Sequence, residues 1–279
     1  MSRFLISLFL IGTLTAAATA YNLRGDDMPE IKFRLGENIH ETAKQSGAPK
    51  YMTRNIAGLI SYKLLDLPPD IPAIYDVADY RIKSIPLFAF TMYADKDSNN
   101  NLAVETANLM FSTNEINSHE SGMAFVERLI TQFQDGKWKR FIDELCPAVT
   151  GRSSFLDETG EPGQICSLDP QYRLSMEDWI QMVAMTQRYE WLGDGVLATL
   201  TVRFSNDIRG LTYAIDLDFQ NFAIMNRRFD ELTRQKLAEG DAAGRNSTAK
   251  QAKELIEAKA RIRTLEANAL KRGDTVVPR

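Results

Sequence analysis

Side chains that carry acid–base chemistry near neutral pH are scarce in this chain. It has two histidines, His40 and His119, and histidine is the side chain whose ordinary pKa lies closest to 7. His40 falls on the polar face of a short predicted helix, and His119 falls in the first turn of a longer one. Neither belongs to a His-Glu-x-x-His zinc motif, so we predict that both lie at the surface without a metal.

Serine nucleophiles are equally weakly supported. The sequence has no Gly-x-Ser-x-Gly motif, the turn that exposes the nucleophile of α/β-hydrolases. Ser153 and Ser154 fall in a predicted loop. Ser247 and Lys250 match a Ser-x-x-Lys motif, but Ser247 lies at the start of a predicted helix, where a capping role explains it. Paired carboxylates stay open as an alternative, because 37 acidic residues always allow some pair. We therefore expect no catalytic residue, no cofactor and no metal, and a protein that is not an enzyme.

The segment Asp95-Lys96-Asp97-Ser98-Asn99 places oxygen ligands at alternate positions, as a calcium-binding loop does. Asn100 stands where such a loop needs glycine, and Thr106 stands where it needs a bidentate glutamate. A polar turn between two strands explains the segment better.

Two loops of the folded body are the predicted contacts with a partner protein. Asp95 and Asp97 lie in the polar turn. Trp191 and Asp194 lie at the glycine-rich bend Gly193-Asp194-Gly195, where we expect the indole ring to be exposed. Aromatic side chains often anchor protein interfaces, so these four are the candidate partner-binding residues.

The first twenty residues have the composition of a secretory signal peptide. Arg3 supplies positive charge, Phe4 to Leu14 are apolar, and Ala18-Thr19-Ala20 is a small-x-small cleavage site. We expect cleavage after Ala20 and a periplasmic protein that begins at Tyr21. The alternative is an uncleaved membrane anchor, but the apolar run is short for a membrane span and no basic residue follows it directly.

Cys146 and Cys166 are the two cysteines of the chain. In an oxidising compartment a disulfide between them is the simplest expectation. In the chain-entropy model, closing a loop of this size stabilises a protein by about 3 kcal/mol. The alternative is a redox pair, for which the spacing is far from Cys-x-x-Cys.

Composition limits the remaining function classes. The net charge is −4 and 44% of the residues are hydrophobic, values typical of a globular protein. The acidic balance argues against nucleic-acid binding, which needs basic surface. We expect no stable membrane insertion once the signal is cleaved.

Hydrophobic periodicity predicts an α+β fold, in which antiparallel hairpins pack against amphipathic helices and a charged helix ends the chain. Strands are predicted at 29–35, 59–65, 87–93, 102–111, 196–204 and 211–219, and helices at 38–47, 117–136, 175–189 and 249–271.

The predicted domain organisation has three parts. Residues 1–20 are the signal peptide. Residues 21–238 form the body, as one unit or as subdomains 21–115 and 116–238. Residues 239–279 form a linker and the charged helix, which packs on the body or on a partner. We expect the last residues of the chain to be frayed.

Residues 36–49 read Gly-Glu-Asn-Ile-His-Glu-Thr-Ala-Lys-Gln-Ser-Gly-Ala-Pro. The spacing of the glycines, the capping residue and the proline resembles SmpA/OmlA-type envelope lipoproteins and the helical opening of β-lactamase-inhibitor-protein-like modules. Glu37 replaces the usual methionine, and Thr42 and Ser46 occupy apolar positions of that pattern. The resemblance implies a periplasmic binding or inhibitory module.

These observations favour a non-enzymatic periplasmic binding protein, such as an immunity protein that neutralises a toxin delivered to the periplasm. An envelope structural or assembly accessory protein is the alternative, and an unrecognised periplasmic hydrolase is the third. In the first two hypotheses the partner is a protein, either a toxin or an envelope component.

Overall fold

A computed structural model describes residues 30–47, 51–97, 101–111, 116–163, 166–208, 210–242 and 248–278. The predicted signal peptide and its cleavage site lie outside the described residues. The fold is α+β, as the periodicity predicts. The strands are β1 Ile31–Phe33, β2 Met52–Ile56, β3 Leu59–Leu65, β4 Ala73–Tyr75, β5 Ile82–Ser84, β6 Leu87–Asp95, β7 Thr106–Phe111, β8 Lys139–Arg140, β9 Gln187–Gly193, β10 Val196–Asp207 and β11 Gly210–Asn221. The α-helices are α1 Ile39–Gln45, α2 His119–Asp135, α3 Met176–Ala184, α4 Phe222–Ala242 and α5 Thr248–Arg272.

Eight of the strands form one antiparallel sheet in the order β2-β3-β6-β7-β11-β10-β9-β8. The sheet consists of two four-stranded meanders that meet where β7 pairs with β11. Strands from both of the predicted subdomains therefore share one sheet. A smaller sheet has the order β1-β4-β5, with β1 parallel to β4.

One face of the large sheet forms the hydrophobic core. Alternate residues of β6, β7, β10 and β11 point into it, and α2 and α3 supply the apolar side chains that pack against them. On α2 this stripe includes Phe125, Leu129 and Phe133, with the spacing expected for one face of a helix. Burying this apolar area from water is the main source of stability.

Polar side chains cap the starts of the three shorter helices. Asn38 accepts hydrogen bonds at the start of α1, and Ser118 forms a reciprocal capping box with Ser121 at the start of α2. Ser175 caps α3. The prediction that this last helix continues to Tyr189 is wrong, because the chain turns at Thr186, whose φ is 56°, and continues as β9.

Cys146 and Cys166 form the predicted disulfide, with their Cα atoms 5.8 Å apart. The closed loop packs against the outer side of β8 and β9. Arg140 in β8 donates from Nη1 to the carbonyl oxygen of Val149 and from Nη2 to that of Ser167, at 2.6 and 2.8 Å. The disulfide therefore belongs to a packed structural element.

The C-terminal region is more ordered than its composition suggests. Residues 239–242, expected in the linker, belong to α4. Ile262, Leu265 and Ala269 of α5 are buried against the body, as expected if the helix docks there. The expected fraying at the C-terminus is wrong for the described residues, because Val277 donates a backbone hydrogen bond to Ala148 at 2.7 Å.

Within the described part of the chain, no helix has the length and hydropathy needed to cross a membrane.

Candidate binding surface

Trp191 is buried, so the expectation of an exposed ring is wrong. It lies in β9, whose first three residues were predicted to belong to the helix 175–189, and its side chain points into the core. The indole is 1% exposed and stacks on Phe133, with ring centroids 4.0 Å apart and planes 6° apart. It cannot contact a partner in this conformation.

Asp194 occupies the two-residue turn between β9 and β10. Asp194 and Gly195 have φ values of 51° and 70°, as a type I′ hairpin turn requires. Burial, and after it the nearby negative charge of Asp194, raise the pKa of the Tyr75 phenol. A structural role therefore accounts for Asp194, and its contact with a partner remains a prediction.

Asp95 ends β6 and is engaged by α4. Arg228 of α4 lies 2.8 Å from Asp95 Oδ2 and 2.6 Å from Glu105 Oε2. Asp95 also accepts a hydrogen bond from the backbone N–H of the exposed Asp97. This cluster fastens the first turns of α4 to the end of the sheet. Residues 98–100, in the segment compared above with a calcium-binding loop, lie outside the described residues.

Each histidine is paired with a tyrosine. His40 Nδ1 lies 2.6 Å from the hydroxyl of Tyr62, and His119 Nδ1 lies 2.7 Å from that of Tyr213. Trp179 Nε1 also donates to the Tyr213 oxygen at 2.9 Å. These contacts join helix starts to the sheet, and neither ring is paired with a serine or a carboxylate in them.

The loop serines are buried in hydrogen-bonded turns. Ser154 Oγ donates to the carbonyl oxygen of Gly151 at 2.8 Å and accepts from the N–H of Asp169. Ser153 is 3% exposed, so its hydroxyl is not accessible to a substrate. Among the described residues, no group of three or more His, Cys, Asp or Glu side chains could hold a metal ion.

The eight-stranded sheet has a second face, opposite the one that packs against α2 and α3, and we call it the open face. Along β3, β7, β9, β10 and β11, residues that alternate with the core positions point toward it. Its centre is polar: Asn108 donates to Asp218 at 2.7 Å, and Arg203 lies 3.2 Å from Asp216. Partial burial raises the pKa of both aspartates.

One end of the open face is apolar and basic. Arg54 and Lys63 lie on neighbouring strands among four exposed apolar side chains, and the depression between them has a volume of about 280 Å³. We call these six residues the edge patch. The apolar members are Met52, Ile56, Leu59 and Leu65, which are 51%, 65%, 44% and 40% exposed.

The edge patch was not predicted from the sequence, because no strand was predicted at β2. The available signal was weak: Met52-Thr53-Arg54-Asn55-Ile56 has three polar residues between two apolar ones and precedes Ala57-Gly58. These last two residues have φ values of 50° and 88° and form the tight turn that sets the register of β2 on β3. Five residues without regular alternation of polar and apolar side chains do not indicate a strand unless the partner strand is known.

A second cavity, of about 400 Å³, lies between α2, α3 and the loop 170–174. Trp179 and Tyr189 line it, and the charged side chains at its rim, Glu127 and Arg173, are exposed. Since it lacks a pair of close, buried titratable groups, it offers little for acid–base catalysis.

The chain matches no protein-family model, no curated protein and no solved structure in the comparisons made.

Proposed function

We propose that this protein is an exported, non-enzymatic binding protein that uses the open face of its sheet to engage another protein. The observation that carries this proposal is the edge patch. Monomeric proteins rarely leave several large apolar side chains exposed side by side, and such patches often mark interaction sites. Here they lie on a sheet supported by a packed core, so little ordering is needed when a partner binds.

Export to the periplasm is part of the proposal. The charged start, apolar run and small-x-small site of residues 1–20 support it, and the Cys146–Cys166 disulfide is typical of proteins outside the cytoplasm. Within this class we favour an immunity-type inhibitor, which needs a rigid binding surface and no catalytic groups.

Photo-crosslinking in cells tests the binding surface. Ile56 is replaced by the photoreactive residue benzoylphenylalanine, and the same replacement at Ile208 provides the control. Both isoleucines are exposed, but Ile208 lies at the tip of the β10–β11 hairpin. Irradiation is expected to give a discrete crosslinked product from position 56 and none from position 208.

The cells must also express the genes that lie next to the gene of this protein, because a partner is often encoded there. The proposed function fails if position 56 gives no product in such cells. If a product forms, its mass spectrometric identification distinguishes the partner classes. A toxin supports the immunity role, and a membrane-protein assembly component supports the alternative.

The assembly alternative has its own structural support in α4. Phe229 and Leu232 on this helix are 70% and 56% exposed, as expected of a helix that packs against a partner protein. Crosslinking from position 229 in the same cells tests that alternative. A product from position 229 and none from position 56 would favour the accessory role.

A further inference from the structure

The edge patch adjoins an edge strand. β2 is the first strand in the order of the eight-stranded sheet and pairs with β3 on one side. All five of its residues are exposed, and within the described ranges no strand pairs with its other side. Such an edge presents a row of backbone N–H and C=O groups to which an extended segment of another chain can add.

The side chains of β2 and β3 specify what such a segment should carry. Met52, Arg54 and Ile56 point to the open face from β2, and Lys63 lies opposite Met52 on β3. Apolar side chains of an added strand would extend the apolar surface formed by Met52 and Ile56. An acidic side chain between them would lie beside the guanidinium of Arg54.

Both cations of the edge patch are available for a partner. In the part of the chain that the structure describes, neither Arg54 nor Lys63 forms an ion pair, whereas Arg203 and Arg188 elsewhere on the open face are matched by Asp216 and Glu190. Unmatched positive charge on a protein with a net charge of −4 favours a partner that is locally acidic.

The same charges argue against a second copy of this chain as the occupant. In the antiparallel register that pairs all five residues of β2 with themselves, Arg54 lies directly opposite its own equivalent. Like charges at directly opposed positions destabilise a strand pair. The surface therefore fits a different chain better than it fits itself.

We infer that the partner adds an extended strand to β2, with apolar and carboxylate side chains alternating along the open face. This inference rests on the proposed function and specifies the chemistry of its partner. Backbone hydrogen bonds to β2 supply affinity, and Arg54 and Lys63 select for acidic side chains.

Synthetic peptides test the charge selection on the purified protein. The probe is a nine-residue strand peptide in which leucine and glutamate alternate on one face and threonine fills the other. A matched peptide carries lysine in place of glutamate. Fluorescence anisotropy is expected to show about tenfold tighter binding of the glutamate peptide at low salt, and that preference should weaken as salt rises.

A charge reversal supplies the sharper comparison. The Arg54→Glu/Lys63→Glu variant is expected to prefer the lysine peptide. A control variant, Lys139→Glu/Arg173→Glu, makes the same change in net charge away from β2 and should keep the preference of the unmodified protein. Equal binding of both peptides by the unmodified protein, or no binding of the glutamate peptide, would overturn the inference.

Backbone methylation tests strand addition itself. Methyl groups on alternate amides block hydrogen bonding along one edge of the peptide. Of two peptides methylated on opposite edges, one should lose binding at least tenfold and the other should keep it. Equal effects would show that side chains alone dock, which also overturns the inference. Crosslinking from position 56 without glutamate-peptide binding would leave the proposed function standing and remove only the acidic-strand partner.

Discussion

The two edges of the eight-stranded sheet are built in opposite ways. β8, at one edge, has two residues, and the segment that follows Cys166 of the disulfide packs along β9 beside it. Glu190 N donates to Ser167 Oγ at 2.9 Å and Leu168 N donates to the carbonyl of Arg188 at 3.0 Å. β2, at the other edge, is exposed along its whole length. We call these the covered edge and the bare edge.

The covered edge has several layers. The loop segment next to Cys146 itself pairs with the end of the chain, through a bridge between Val149 and Val276. Ile262 and Leu265 of α5 pack against the same region. Proteins commonly cover or shorten edge strands because free edges invite pairing with other chains. The contrast between a covered edge and an exposed, apolar one is what we expect if β2 binds another chain.

Removing the disulfide should have the largest effect on the covered edge. The Cys146→Ser/Cys166→Ser variant is expected to lose about 3 kcal/mol of stability, because the unfolded chain regains the freedom of the closed loop. Urea unfolding followed by circular dichroism measures this loss. A loss below about 0.5 kcal/mol would show that the loop contributes little to the fold.

Arginines at the two edges give a matched pair of substitutions. Arg140→Met removes the donors to the carbonyl oxygens of Val149 and Ser167 and should cost about 2 kcal/mol, since these acceptors are partly buried. Arg54→Met at the bare edge should change stability by less than about 0.5 kcal/mol. Equal losses in urea unfolding would remove the distinction between the edges.

Asp178 links the disulfide loop to α3 and makes this link sensitive to pH. Arg152, first of all, and the Tyr172 hydroxyl lower the pKa of its carboxyl through hydrogen bonds. A lowered pKa in the folded state stabilises the fold above the unfolded value, about 3.9, and this contribution disappears as the pH falls through the folded value. Asp178→Asn should therefore cost about 1.5 kcal/mol at pH 7.

The cost of Asp178→Asn should shrink below pH 4, because the carboxyl of the unfolded chain then takes up a proton, whereas the carboxyl of the folded protein does so only at a lower pH. Parallel urea titrations at pH 7 and at the lowest pH where both proteins fold make the measurement. A cost that stays constant with pH would contradict the assigned role of the carboxylate.

The smallest stability effect is expected at Ile56, the last residue of the strand that forms the bare edge. Ile56→Asp replaces an exposed side chain and should change the free energy of unfolding by less than about 0.5 kcal/mol, while it places a negative charge beside Arg54 that competes with an acidic partner. Thermal unfolding checks the stability. A loss above 1.5 kcal/mol would mean that Ile56 supports the fold, and the edge patch would lose its interpretation as a free surface.

Much of the fold was predictable because its signals are local. Asn38, Ser118 and Ser175 are caps by residue type and position, and the structure confirms each one. The hairpin of β10 and β11 was predictable from the alternation of apolar and polar residues within 196–204 and 211–219, and the observed strands extend to twelve residues each. The disulfide was predictable because the chain offers a single possible pairing of its two cysteines.

The missed features depend on distant contacts. Trp191 precedes a glycine-rich bend, a position that suits an exposed ring, and it is buried because Phe133 of α2 lies over it. β2 was missed because five residues give little periodicity without a partner. The edge patch could not be predicted either, because Arg54 and Lys63 are brought onto neighbouring strands only by the register of β2 on β3.

The amino-acid sequence by itself determined the α+β class, the starts of α1, α2 and α3 and the cysteine pair, because each depends on local backbone preference or on composition. It did not reveal α4. The tertiary structure alone decided that the two four-stranded meanders join at β7 and β11, and which edge of the resulting sheet is covered. Strand order is set by side-chain packing between segments that lie far apart in the chain. Hydrophobic burial selects that packing, and no single segment encodes it.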